Sequence, residues 1–133
     1  MPLLERLRQS ASSLPEVRLA VLFGSTAKGQ ARKGSDVDLG ILLSPDTQEA
    51  RDRARIELGR ATEKEIDVVF LDAAPPLLRF EISRDGVLLL EREEGLWTGF
   101  KARAMVDWWD WAPTARKIHR TIIQNLRERV NGG

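Results

Sequence analysis

Four short runs of β-forming residues constrain the fold of this 133-residue chain more than any other feature: Val17 to Phe23 (VRLAVLF), Val37 to Leu43 (VDLGILL), Glu65 to Leu71 (EIDVVFL) and Val87 to Glu91 (VLLLE). Each is short, apolar and stopped by turn formers, in order Gly24-Ser25, Ser44-Pro45-Asp46, Asp72 to Pro76, and the Asp85-Gly86 pair before the last run. Between them the period turns helical. Leu3, Leu4 and Leu7 mark a short amphipathic helix up to Leu14, stopped by Pro15, and Ala50, Ala54, Leu58 and Ala61 mark one face of a second. A third, short helix is expected over Leu77 to Arg84. From Gly95 to Val130 the pattern is helical again, with Pro113 expected to break or kink it. Strands alternating with helices predict an α/β (α+β) architecture: a small mixed sheet of about four strands, helices packed on one face, and a helical C-terminal tail. The length suits a single domain over 1–133, with a core at about 17–91 and the helical region at about 95–130.

Composition removes several function classes. No cysteine is present, which excludes disulfides, thiol nucleophiles and thiolate zinc sites. Lys and Arg number 21 against 20 Asp and Glu, so the net charge of +1 gives no general reason to expect nucleic-acid or membrane binding. Charges interrupt the N-terminal segment, and no run approaches the ~18 apolar residues of a membrane span. A cytoplasmic location is expected. The chain also has no tyrosine, so any tyrosine it modifies belongs to another molecule.

The segment that carries chemistry is Gly24-Ser25-Thr26-Ala27-Lys28-Gly29, five further residues, then Ser35-Asp36-Val37-Asp38-Leu39. Residues i and i+2 of a strand point to the same face, about 6.6 Å apart. Asp36 and Asp38 therefore project together, while Val37, Leu39, Ile41 and Leu43 form an apolar face. Paired carboxylates repel unless a cation lies between them, and oxygen ligands on a rigid strand suit magnesium. Gly24 lets the backbone approach a ligand, and the N–H groups that follow, the Ser25 hydroxyl and Lys28 make an anion site. Asp67 is a third carboxylate, on another strand, with Ile66, Val68 and Phe70 pointing the other way. If the two strands are neighbours, it can complete a two-metal site for in-line displacement. Other phosphate loops fit worse: neither glycine pair is followed by the Lys-Ser or Lys-Thr of a Walker A loop.

The pattern GSxAxG, five residues, SDxDL, with a later strand aspartate, resembles the DNA polymerase β-type nucleotidyltransferase superfamily. Within it, the small size resembles the minimal nucleotidyltransferases that act as antitoxins to HEPN-type toxins. The resemblance covers about residues 17 to 91. It implies that Asp36 and Asp38 bind two magnesium ions, that Asp67 binds the catalytic one, and that Gly24 and Ser25 hold phosphates of ATP, with Lys28 and Ser35 alongside. Relatives often carry arginine at the position of Thr26, and Lys28 keeps a basic residue nearby. It further implies transfer of AMP to a tyrosine of the toxin partner. The R-x4-H motif of HEPN ribonucleases is not in this chain, since His119 has Thr114 at the upstream position. Two other readings stay open: transfer to a small-molecule hydroxyl such as an aminoglycoside, and a binding antitoxin without catalysis.

The tail carries four tryptophans within fifteen residues. Trp97, Phe100, Ala104, Trp108 and Trp111 share one helical stripe, expected to pack on the domain. Trp109, with Met105 and Ala102, falls on another and is expected at a partner or self-association surface. Ile118, Ile122, Leu126 and Val130 form a further apolar stripe that suits core or interface equally.

Overall fold

The computed structural model describes residues 2–24 and 37–131, and of residues 115, 130 and 131 the backbone only. In chain order the elements are α1 (Leu3–Ser12), β1 (Val17–Phe23), β2 (Val37–Leu43), α2 (Gln48–Gly59), β3 (Ile66–Phe70), a 3-10 turn (Leu71–Ala73), α3 (Pro76–Asp85), β4 (Val87–Glu91) and α4 (Leu96–Asn131). The strands form one sheet in the order β3-β2-β1-β4. β1 is antiparallel to β2 and β4, while β3 is parallel to β2. A parallel neighbour needs a crossover, which α2 supplies between β2 and β3. Its start is fixed by Thr47, whose side chain accepts a hydrogen bond from the Ala50 N–H at 3.1 Å.

The mixed α/β sheet with a helical C-terminal region stands as expected, but helices cover both of its faces rather than one. On β2, Val37, Leu39, Ile41 and Leu43 join Leu7 and Ala11 of α1 and Ala50, Ala54 and Leu58 of α2 in one buried cluster. Leu19 and Val21 of β1 turn the other way and pack with Leu71 and Ile82, flanked by Leu78, Trp97 and Phe100. A register shift between Val17 and Leu19 moves Val17 onto the first face although it shares parity with Leu19. Simple alternation could not have shown this. On the second face Gly40 matters for space: a Cβ there would lie 2.8 Å from Leu71 Cδ2 and would force that side chain to shift.

Arg92 ties the two halves together. Its guanidinium donates to the carbonyls of Ser12, Leu14 and Val17, each at 2.9 Å, and to that of Ala11 at 3.3 Å. These include carbonyls left over at the end of α1, where a cation is favoured.

α4 runs through Pro113, so the proline does not end the helix. Its first half packs on the body through Ala104, with Trp97, Phe100 and Trp108 half-buried. Trp111, expected on that packed stripe, is 42% exposed. Ile118, Ile122 and Leu126 are also exposed, so they are not core; the Val130 side chain lies outside the described set. Among the described residues no helix is long and apolar enough to cross a membrane.

Candidate active site

The end of β1, the start of β2 and the start of β3 meet at one margin of the sheet. Phe23 is the register partner of Asp38, and Asp38 is in turn the register partner of Asp67. The ladder extends one step further through Val37 N–H donating to the Glu65 carbonyl at 2.8 Å. Partners in adjacent strands share a face, and their backbones run about 4.8 Å apart. Asp38 and Asp67 therefore stand side by side on the second face. Val37, Leu39, Ile66 and Val68 point to the first, in the apolar cluster or packed against it. Asp38 is half-buried and Asp67, on the edge strand, is exposed.

Gly24 is shaped around this pair. Its φ is +75°, a conformation that L side chains rarely adopt, and a Cβ built on it would lie 2.4 Å from Asp38 Oδ2. The Asp38 carboxylate thus lies against the Gly24 backbone, in the space any side chain would need. The absence of a Cβ on Gly24 is what leaves room for the Asp38 carboxylate. The remaining expected site residues, Ser25, Lys28, Ser35 and Asp36, lie outside the described residues.

Sequence reasoning missed three charged groups beside this margin. A hollow of about 260 Å³ is lined by Phe23 and Gly24 together with Glu81, Arg84 and Asp85 from the C-terminal end of α3. The Arg84 guanidinium donates to Asp85, at 2.8 Å through Nη2, and lies 5.6 Å from the centre of the Phe80 ring. The Asp85 carboxylate holds the Arg84 pKa above its ordinary value, chiefly through that hydrogen bond. No motif marks these residues in the sequence. They reach Gly24 only because α3 crosses the second face. Trp109 and Met105, expected at a partner surface, lie on α4, 66% and 42% exposed.

Paired carboxylates at strand spacing make a donor set suited to hard divalent cations. The family described as Polymerase beta, Nucleotidyltransferase matches residues 5–95, well over half of the chain. The chain belongs to this family. It is a nucleotidyltransferase. Solved structures give the same architecture. A chain of a toxin–antitoxin crystal structure with AMP-PNP superposes with a TM-score of 0.78 at 20% identity, covering 90% of this chain and 98% of its own. A chain of the MntA-HepT toxin–antitoxin structure gives 0.72 at 18% identity, over 91% and 97%. A third, from tri-AMPylated Shewanella oneidensis HEPN toxin in complex with MNT antitoxin, gives 0.69 at 19% identity, over 90% and 98%. At these identities the likeness is one of fold. No curated protein matches the sequence.

Proposed function

We propose that this nucleotidyltransferase moves AMP from ATP to a tyrosine hydroxyl of a HEPN-type toxin and so neutralises the toxin's ribonuclease. The observation that carries the reading is the register pairing of Asp38 with Asp67 beside Gly24. Two carboxylates held at strand spacing repel each other, and the donor set fits hard divalent cations that also take phosphate oxygens. Asp38 and Asp67, with Asp36 two residues before Asp38 in the sequence, would hold two magnesium ions. Bound there, magnesium supplies charge neutralisation of the triphosphate and a lowered pKa for the attacking hydroxyl.

The residues of the chain do the positioning. Gly24, Ser25, Lys28 and Ser35 would seat the β- and γ-phosphates. The acceptor oxygen forms a bond to the α-phosphorus, the α–β phosphoanhydride bond breaks, pyrophosphate leaves, and the hydroxyl proton passes to solvent. Because β3 is an edge strand and Asp67 is exposed, the acceptor has an open side from which to arrive. Three structural neighbours whose names include a toxin–antitoxin pair, AMP-PNP or an AMPylated HEPN toxin support the choice of nucleotide and acceptor. The absence of tyrosine from this chain is consistent with modification in trans.

The test is incubation with labelled ATP, magnesium and the purified product of the adjacent gene. Label on that protein, lost in Asp38→Ala, is the expected result. Label only on small hydroxyl compounds would move the acceptor to that class. A stable complex with no label anywhere would replace catalysis with simple binding.

A further inference from the structure

α4 carries one of its faces beyond the edge of the body. Up to Trp108 that face is occupied. Ala104 is buried, Phe80 of α3 stacks on Trp108 with ring centres 5.5 Å apart, and Arg79 of α3 binds Asp107 at 2.6 Å. The α3–α4 pair is antiparallel, because a Cβ on Gly86 at the end of α3 would lie 3.3 Å from Trp97 while Phe80 meets Trp108. The start of α3 therefore points along the second half of α4.

Among the described residues of α4, Ala112 is the last buried one. Steps of three, seven and four then continue the same face from Trp108 through Trp111, Ile118, Ile122 and Leu126. The last four are 42%, 55%, 53% and 51% exposed, and span about 22 Å of helix. The seat that α3 fills on the body thus continues as an uncovered apolar seam. Along it the charge changes sign. Beyond Pro113, five basic residues face one acidic residue, a net of +4, so the rest of the chain carries −3. Arg116, Arg120 and Arg127 recur at helical spacing on a second arc, about 140° round the helix from the middle of the seam. With Trp108, Trp109, Ala112 and His119, the first two line a hollow of about 720 Å³.

We propose that this seam is the docking site for a helix of a partner protein, apolar on one face and acidic along its rim, seated in line with α3. The proposal deepens the functional reading and rests on it only for the partner's identity. A second copy is disfavoured because two tails side by side would set +4 against +4. A lipid surface is disfavoured by shape. The seam faces the side on which the body lies, so a flat bilayer touching Ile118 and Ile122 would have to pass through α3 and the sheet. A rod lying end to end with α3 meets neither obstacle.

The experiment measures binding of the full chain to the purified adjacent-gene product by calorimetry across a salt series, alongside AMP transfer. Ile118→Asp combined with Ile122→Asp is expected to raise Kd at least 100-fold and to slow transfer in parallel. Arg116→Glu with Arg120→Glu is expected to raise it about tenfold and to flatten the salt dependence. Both variants should keep the wild-type melting temperature of the body, because the altered side chains are exposed. Wild-type affinity in the isoleucine variant overturns the proposal, as does the absence of any wild-type complex. It is also overturned if the variant instead loses self-association in sedimentation, or loses binding to phosphatidylglycerol vesicles, while the partner still binds. A seam-dependent complex without transfer supports docking and sinks only the catalytic reading. Undiminished transfer by the isoleucine variant does the reverse.

Discussion

The two faces of the sheet are made by the same strands and do different work. Under α1 and α2, β2 presents Val37, Leu39, Ile41 and Leu43, all buried from one end of the strand to the other. On the opposite face the same strand presents Asp38, Gly40 and Leu42, and its neighbour presents Asp67 and Val69. The difference lies in the cover. Leu71 and Ile82 close over Gly40 at the middle of the second face, and the strand ends carrying Asp38 and Asp67 keep access to solvent. A two-residue period that packs one side completely leaves the other free to carry charge wherever its helices stop short. On β2 the first face therefore serves packing alone, while the open end of the second carries the acids, and single substitutions can separate the two.

The largest effect should come from the second face. Asp38→Ala is expected to lower AMP transfer by about three orders of magnitude, on the order of 4 kcal/mol of transition-state stabilisation, without lowering the melting temperature. Transfer above a tenth of wild type would break the division of labour. One residue along, on the first face, Leu39→Ala should cost about 3 kcal/mol in urea unfolding while leaving transfer per folded molecule unchanged. If instead it abolishes transfer in fully folded protein, the faces are not independent.

Gly24→Ala sharpens the boundary between them. The positive φ and the 2.4 Å approach to Asp38 Oδ2 predict a loss of about 1–2 kcal/mol together with reduced transfer, since the carboxylate must move. An intact stability curve and normal transfer would show that the turn rearranges freely. The smallest effect is a pH dependence at the rim of the first face. The Arg53 guanidinium, donating to Glu16 at 2.8 Å, holds that carboxyl below its ordinary value of 4.5. A folded pKa below the unfolded one means that the pair's stabilisation is present above pH 4.5 and is lost as pH falls through the lower folded value. Glu16→Gln should flatten that part of the acid stability profile by only a few tenths of a kcal/mol, because Arg53 is largely exposed. An unchanged slope would remove Glu16 from the account.

Much of the architecture was legible because period and punctuation agree. The runs 17–23, 37–43 and 87–91 are strands with those bounds, and the third run is a strand shortened by one residue at each end. Of the two expectations for Pro113, the break does not occur, since a helix can tolerate one missing donor where the chain beyond is in solvent. Trp111 was assigned to packing by its spacing, but spacing does not reveal where the body that would cover it ends.

The sequence by itself determined the strands, their apolar alternates and the acids carried between them, because these depend on neighbours two to four residues apart. That Asp67 stands beside Asp38 was a matter of strand order, settled by the parallel crossover through α2. The approach of Glu81, Arg84 and Asp85 to Gly24, and the seam that outruns α3, were also decided only in three dimensions. Each depends on which helix lies over which strand and where it stops, and long-range packing sets that while local periodicity does not.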